Sequence, residues 1–137
     1  MSDKSNYLEG EIIKHLFRTG SFTKPTILGI ALFTVAPDKE TGAGGTEVTG
    51  GTYNRIDTPP LDANWDAVTN GGDTANTNVI TFDTPTANWG TIVAFGIYDA
   101  LTGGNLMYSA NLTTNKTVNN GDPAPTFPAG SLTVSEQ

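Results

Sequence analysis

The stretch that most constrains the fold is residues 87–112, ANWGTIVAFGIYDALTGGNLMYSANL. It predicts two β-strands, 89–98 and 105–112, joined by a tight turn at Gly103 and Gly104, where glycine tolerates unusual backbone angles. A half-buried strand normally alternates apolar and polar residues, because successive side chains point to opposite faces. Residues 89–98 have no polar face, so this strand is predicted to be covered on both sides.

The second face of this strand is unusually smooth. It carries Gly90, Ile92, Ala94, Gly96 and Tyr98, and three of these five residues are glycine or alanine. Small residues allow a neighbouring layer to approach the strand closely. We expect an N-terminal helix of the same chain to supply that layer, and the alternative is an interface with another subunit.

The beginning of the chain predicts this helix, over about residues 6–19. Asn6 and Glu9 have the spacing of a capping box, and Gly20 is typical of the position just after a helix. The helix carries one apolar stripe, made of Leu8, Ile12, Ile13, Leu16 and Phe17. Such a stripe packs against another apolar surface, and the smooth strand face is its predicted partner.

After the helix, the pattern changes to about seven short strands separated by turn signals. Residues 26–35 are apolar on both faces, which is typical of a central strand. The other strands are predicted at 52–57, 79–83, 89–98, 105–112, 116–119 and 131–135. This spacing is typical of an antiparallel sheet pair. The predicted fold is therefore mainly β, an antiparallel β-sandwich over about 26–135 with one N-terminal α-helix, in a single domain spanning 1–137.

Composition excludes several classes of function. The 137 residues include no cysteine, which excludes disulfides, cysteine-ligated zinc and a thiol nucleophile. A formal net charge of −7 disfavours nucleic acid and anionic membrane surfaces as partners. The N-terminal segment lacks the apolar region of a signal peptide, and the longest apolar run is too short to span a bilayer. We expect a protein made in the cytoplasm, with neither nucleic-acid nor membrane partners.

The polar residues do not form a recognisable catalytic or metal-binding motif. The single histidine, His15, is predicted on the polar side of the helix, where a solvated residue is favoured over a general base or metal ligand. Asp62, Asp66 and Asp73 share one loop but lack the spacing of a calcium-binding loop, so they are interpreted as turn formers. The sequence therefore predicts no enzymatic activity, no cofactor and no metal site.

Two tryptophans have different predicted roles. Trp89 begins a strand that is apolar throughout and is predicted to lie in the core. Trp65 lies in a polar loop, where a structural role and an anchor at a protein interface are both open. A weaker alternative is a carbohydrate-binding platform formed by Trp65, Tyr53 and Tyr108, although no spacing pattern supports it.

The order of segments along the chain resembles a family of small virion proteins of tailed bacteriophages. The segments that carry the resemblance are SNYLEGEIIKHLFRTGSFTKPTILGIALFTVAP, GGTEVTGGTYNRI, ANWGTIVAFGIYDALTGGNLMYSANLTTNKTVNNGD and FPAGSLTVS. The family is commonly labelled phage tail fibre protein, and similar small β proteins serve as cement proteins on phage heads. One departure is Val93-Ala94, where relatives tend to have Thr-His, and this change favours burial or a subunit contact. The resemblance implies a non-enzymatic structural protein located in the virion and made in the bacterial host.

Within the virion, the main hypothesis is a capsid cement protein that bridges and stabilises the head shell, because the chain leaves no room for a fibre shaft. The alternative is a tail fibre or distal tail component involved in host attachment. The expected partners are the major capsid protein or tail proteins, together with copies of the chain itself in a dimer, trimer or array. Loops 38–51 and 61–78 are long enough to contribute contacts. The candidate interface residues are Leu8, Ile12, Phe17, Trp65, Gly90, Ala94, Gly96 and Tyr98.

Overall fold

The computed structural model describes residues 3–136, and β-strands predominate among them. The elements in chain order are β1 (Asp3–Lys4), α1 (Asn6–Phe17), β2 (Gly29–Val35), β3 (Thr46–Glu47), β4 (Ile56–Asp57), β5 (Asp73–Ala75), β6 (Ile80–Thr81), β7 (Gly90–Tyr98), β8 (Leu106–Val118), β9 (Thr126–Phe127) and β10 (Thr133–Ser135). The strand pairs are antiparallel. The predicted class, mainly β with an N-terminal helix in a sandwich-like arrangement, is confirmed.

The main sheet has the strand order β1-β8-β7-β2-β3, and β4 also pairs with β2. The predicted hairpin is present as β7 and β8. The two strands predicted at 105–112 and 116–119 are in fact one strand, since β8 stays paired with β7 as far as Val118. Further short strands, β3 and β5, lie within the two segments that were predicted to be loops.

The outer edge of β2 is covered in three pieces. Strand β4 pairs with Gly29 and Ile30 at one end, and β3 pairs with Phe33 and Val35 at the other. Between them, the Leu32 amide donates to the Tyr53 hydroxyl at 3.0 Å. The hydroxyl therefore closes the gap that the two short strands leave.

The hydrophobic core lies between one face of the main sheet and a second layer, which contains the two-stranded sheets β5–β10 and β6–β9. Its buried residues include Ile30, Leu32, Ile80, Phe82, Trp89, Ile92, Phe95, Ile97, Leu132 and Val134. Trp89 lies in this core, as predicted, and its indole N–H donates to the Gly51 carbonyl at 3.0 Å. The aromatic rings of Tyr53 and Trp89 pack edge to face, with 5.5 Å between their centroids.

The helix is capped differently from the prediction. Its N-cap is Ser5 rather than Asn6: the Ser5 hydroxyl accepts the Leu8 amide at 3.3 Å and donates to the Leu106 carbonyl at 2.5 Å. The Ser5 amide also donates to the Met107 carbonyl at 2.8 Å, so the start of the helix is fixed to β8. The helix ends at Phe17, before the predicted boundary.

The prediction that the helix covers the smooth face of β7 is wrong. A bulge between Ile92 and Ala94 changes which residues share a face, so Ile92 points into the main core while Ala94 belongs to a separate buried cluster with Phe33. An added Cβ at Gly96 would lie 3.0 Å from both Phe33 and Leu106 side chains. Side chains of the same sheet therefore cover this face. The helix instead buries Leu8 in the main core.

Replacing Gly10 with alanine is expected to stabilise the protein by about 0.5–1 kcal/mol, because glycine inside a helix loses more backbone entropy on folding than alanine does. The added Cβ at Gly10 meets no atom within 4 Å. Urea unfolding measures the effect. The matched control is Gly29→Ala. Its added Cβ would lie 2.6 Å from the Ala100 carbonyl oxygen, so this variant should lower the free energy of unfolding. A destabilised Gly10→Ala variant would contradict the open environment of this position.

Candidate functional site

A mainly apolar cavity of about 430 Å³ opens between the start of the helix, the main sheet and the loop that follows β4. We call it the Trp65 cavity. Its lining includes Leu8, Phe22, Leu28, Trp65, Met107 and Val134. Residues far apart in the sequence meet here because the helix start is fixed to β8 while β10 pairs with β5 in the facing layer.

Trp65 is half-buried in the wall of this cavity. Its indole N–H donates to the Thr58 carbonyl at 3.2 Å, and its backbone forms an isolated bridge with Asn76. The indole polar atom is thus used within the protein, while the ring lines the cavity together with Tyr108. Trp65 and Leu8, two of the predicted interface residues, are brought together at this site.

The rim of the Trp65 cavity combines exposed apolar and acidic residues. Leu61 and Val68 are 58 % and 72 % exposed. Asp62 and Asp66 also line the opening and are exposed. Lys24 lies at the rim too, and its ammonium group donates to the Pro60 carbonyl at 3.3 Å.

The second half of the helix projects from the body of the protein. Ile13, Leu16 and Phe17 are 54 %, 65 % and 75 % exposed, and we call them the helix-end patch. Of the predicted apolar stripe, Leu8 is buried and Ile12 is partly buried against the core. The stripe therefore has a partner in its first half, while its second half faces solvent.

Basic residues flank the helix-end patch. Lys14 forms an exposed ion pair with Glu11 at 2.9 Å, and Arg18 immediately follows Phe17. The predicted location of His15 among polar helix residues is correct, and its Nδ1 accepts the Phe22 amide at 3.2 Å. This bond ties the helix to the returning segment that lines the Trp65 cavity.

The remaining predicted interface residues lie elsewhere. Ala94 and Gly96 are buried on the face of the main sheet that bears the second cluster, and Tyr98 is partly buried against that cluster. Gly90 begins β7 with φ of +91°, a conformation that favours glycine. The eight candidates are therefore divided among several parts of the molecule rather than forming one surface.

Arg55 covers Tyr98 and forms a cluster that the sequence did not reveal. Its Nε and Nη2 donate to the two carboxylate oxygens of Glu47 at 2.9 and 2.8 Å. Its Nη1 donates to the carbonyls of Ala100 at 3.0 Å and Gly103 at 2.7 Å. The guanidinium carbon lies 3.7 Å from the centroid of the Tyr98 ring. Arg55 thus connects β3, β4 and the β7–β8 turn, a structural role.

The three aromatic residues of the weaker carbohydrate-binding alternative do not form one platform. The Tyr53 ring packs in the core against Phe82 and Trp89, and its hydroxyl donates to Glu47 at 2.7 Å. Trp65 and Tyr108 remain together in the cavity wall. Tyr53 therefore cannot share a sugar-binding surface with them.

The pKa values of Tyr53 and Tyr108 are raised, chiefly by burial and then by hydrogen bonds to Glu47 and Glu136. Because a raised phenol pKa favours the neutral form in the folded state, this stabilisation is complete below the unfolded pKa of about 10 and is lost as pH rises through the folded values. We expect these two tyrosines to ionise only when the protein unfolds at alkaline pH. Absorbance at 295 nm reports the ionisation, and tryptophan fluorescence reports the unfolding. Their ionisation near pH 10 in folded protein would contradict this.

No helix within residues 3–136 is long and apolar enough to cross a membrane. In the same range, no group of three or more histidine or acidic side chains is placed to hold a metal ion. The Asp66 carboxylate accepts a hydrogen bond from the Thr77 side chain, eleven residues away, and Asp73 begins β5 and accepts one from the Asn70 side chain. The interpretation of these residues as turn formers stays a prediction.

Residues 3–135 match the family model described as Podophage GP4 fiber I protein gp80. The chain belongs to this family. The predicted resemblance to phage virion structural proteins is confirmed, and with it the virion location. Membership of this fibre family gives the chain other virion proteins as partners. No curated protein matches the sequence.

Proposed function

We propose that the protein is a structural subunit of a podophage tail fibre and acts by binding other virion proteins, without catalysis. The observation that carries this proposal is the family match over residues 3–135, since the family is described as a fibre protein. It supports the tail alternative better than the capsid cement hypothesis. The cement hypothesis rested on the absence of room for a shaft, but a fibre can be assembled from subunits that each lack one.

The exposed apolar surfaces support a role in assembly. The helix-end patch places three large apolar side chains in solvent, and the Trp65 cavity presents an apolar lining with exposed Leu61 and Val68 at its rim. Contiguous apolar surfaces of this kind mark sites of protein–protein interaction. They are the surfaces through which we expect the subunit to contact its partners.

The position within the virion is tested by separating tails from heads of purified particles. Quantitative mass spectrometry should find this chain with the tails, in a small number of copies per particle. Hundreds of copies on isolated heads would favour the cement hypothesis instead. A chain absent from both fractions would contradict a virion role altogether.

A role in host attachment is tested with particles that lack this chain. We expect such particles to contain packaged heads but to adsorb poorly to the host, with adsorption restored when the chain is supplied in trans. The matched control is a particle lacking a head decoration protein, which should adsorb normally. Normal adsorption of the depleted particles would restrict the protein to a scaffolding role in the tail.

A further inference from the structure

We propose that the helix-end patch of one copy binds in the Trp65 cavity of a second copy of the same chain. This inference goes beyond the fibre role because it names the partner and the contact residues. The patch consists of Ile13, Leu16 and Phe17, and the cavity opens beside Trp65.

The helix-end patch has the form of a protruding apolar contact. Residues three and four apart share one face of a helix, so Ile13, Leu16 and Phe17 project together. All three are more than half exposed in the isolated chain. Burying them in an apolar environment removes this surface from water and favours association.

The Trp65 cavity has the complementary form. Its volume of about 430 Å³ lies within the range of pockets that enclose small ligands, roughly 300–1,000 Å³, so it can receive apolar side chains. Its lining is mostly apolar, and the indole N–H of Trp65 is already bonded to Thr58. The occupant therefore needs apolar side chains more than hydrogen-bonding groups.

The charges at the two surfaces are opposite on balance. Lys14, which is also paired with Glu11, and Arg18 flank the helix-end patch, while at the cavity rim Asp62 and Asp66 outnumber Lys24. Complementary charges around an apolar contact speed association and fix its orientation. This match distinguishes a second copy from an apolar partner of unspecified charge.

The helix cannot fill the cavity of its own chain. Leu8 forms part of the cavity wall, and Phe17 follows nine residues later on the same rigid helix, about 14 Å away at 1.5 Å per residue. The patch must therefore enter the cavity of another copy. Since each copy carries one patch and one cavity, two copies can exchange helix ends reciprocally about a two-fold axis, which buries both patches in one closed dimer.

Sedimentation equilibrium of the isolated 137-residue protein tests the contact. We expect wild-type protein to dimerise, and Phe17→Asp and Val68→Lys each to weaken dimerisation at least tenfold. The lysine would place a positive charge where Lys14 and Arg18 must approach. The controls are Leu101→Asp and Val79→Lys, which alter exposed apolar residues outside both surfaces and should dimerise normally.

Mixing the two disruptive variants provides a sharper test. Phe17→Asp keeps an intact cavity and Val68→Lys keeps an intact patch, so a mixed dimer retains one of the two contacts. An equimolar mixture should therefore dimerise more strongly than either variant alone. Unchanged thermal unfolding confirms that both remain folded. Monomeric wild-type protein at hundreds of micromolar, an oligomer that both variants leave intact, or a mixture that dimerises no more strongly than either variant alone would each overturn the proposal. These measurements use isolated protein, so their failure leaves the virion location untouched.

Discussion

Replacing Asn76 with alanine is expected to destabilise the protein by about 3–5 kcal/mol, which is at the upper end for a single substitution. Asn76 is fully buried. Its side-chain amide donates to the carbonyls of Asn78, Phe127 and Pro128 at 2.8–3.3 Å, and its Oδ1 accepts the Leu132 amide at 2.9 Å. Truncation leaves the amide of the buried Leu132 without its acceptor and removes one donor from each of the three carbonyls, of which that of Pro128 also accepts from Ser131.

Chemical denaturation measures this loss, and two further variants test its cause. Asn76→Asp keeps the shape but replaces the donor with an oxygen facing three carbonyls, so it should destabilise at least as much as alanine. The control is Asn54→Ala, an exposed asparagine with long hydrogen bonds of 3.4 and 3.5 Å, for which we expect less than about 0.5 kcal/mol. A loss below about 1 kcal/mol in Asn76→Ala would show that water satisfies the released groups.

Replacing Arg55 with alanine is expected to have the second large effect, lowering the free energy of unfolding by about 2–4 kcal/mol. The Arg55 side chain is 8 % exposed and that of Glu47 is 24 % exposed, so removing the guanidinium leaves a poorly solvated carboxylate. It also removes the donors to Ala100 and Gly103 that hold the β7–β8 turn. Urea unfolding should report the decrease in the free energy of unfolding.

Arg55→Lys separates charge from geometry. Lysine keeps the positive charge but lacks the planar fork that donates to both oxygens of Glu47, so we expect an intermediate loss of stability. A double-mutant cycle with Glu47→Gln should show strong coupling between the two residues. Lys14→Ala is the control, because its ion pair with Glu11 is exposed and should contribute nothing measurable. Additive effects of the Arg55 and Glu47 changes would contradict the cluster.

The long elements were predictable because their signals are local. The apolar run of β2, the glycine turn of the β7–β8 hairpin and the spacing of the helix each arise from neighbouring residues. The short strands β3 and β5 were not predictable, since two or three residues in a polar segment become a strand only when a partner is already in place. The bulge after Ile92 has no local signal, and it reversed which side chains of β7 share a face.

The candidate site was predicted only in part. Trp65 stood out because a tryptophan is unusual in a polar loop, and Phe17 was selected as part of a stripe expected to be buried. Val68 carried no signal, because its place on the cavity rim depends on how the loop folds. Asn76 and Arg55 resemble ordinary polar residues in the sequence, and their roles arise from segments that only the fold brings together.

The three-part cover on the edge of β2 limits how copies of this protein can polymerise. An open strand edge can recruit a strand from another chain and continue the sheet without limit. Here β3, β4 and the Tyr53 hydroxyl already occupy the hydrogen-bonding groups of that edge. Crowded copies are thereby prevented from adding strands directly to β2. A strand added on this side would have to pair with β3 or β4, and strands of two residues are poor templates for extending a sheet.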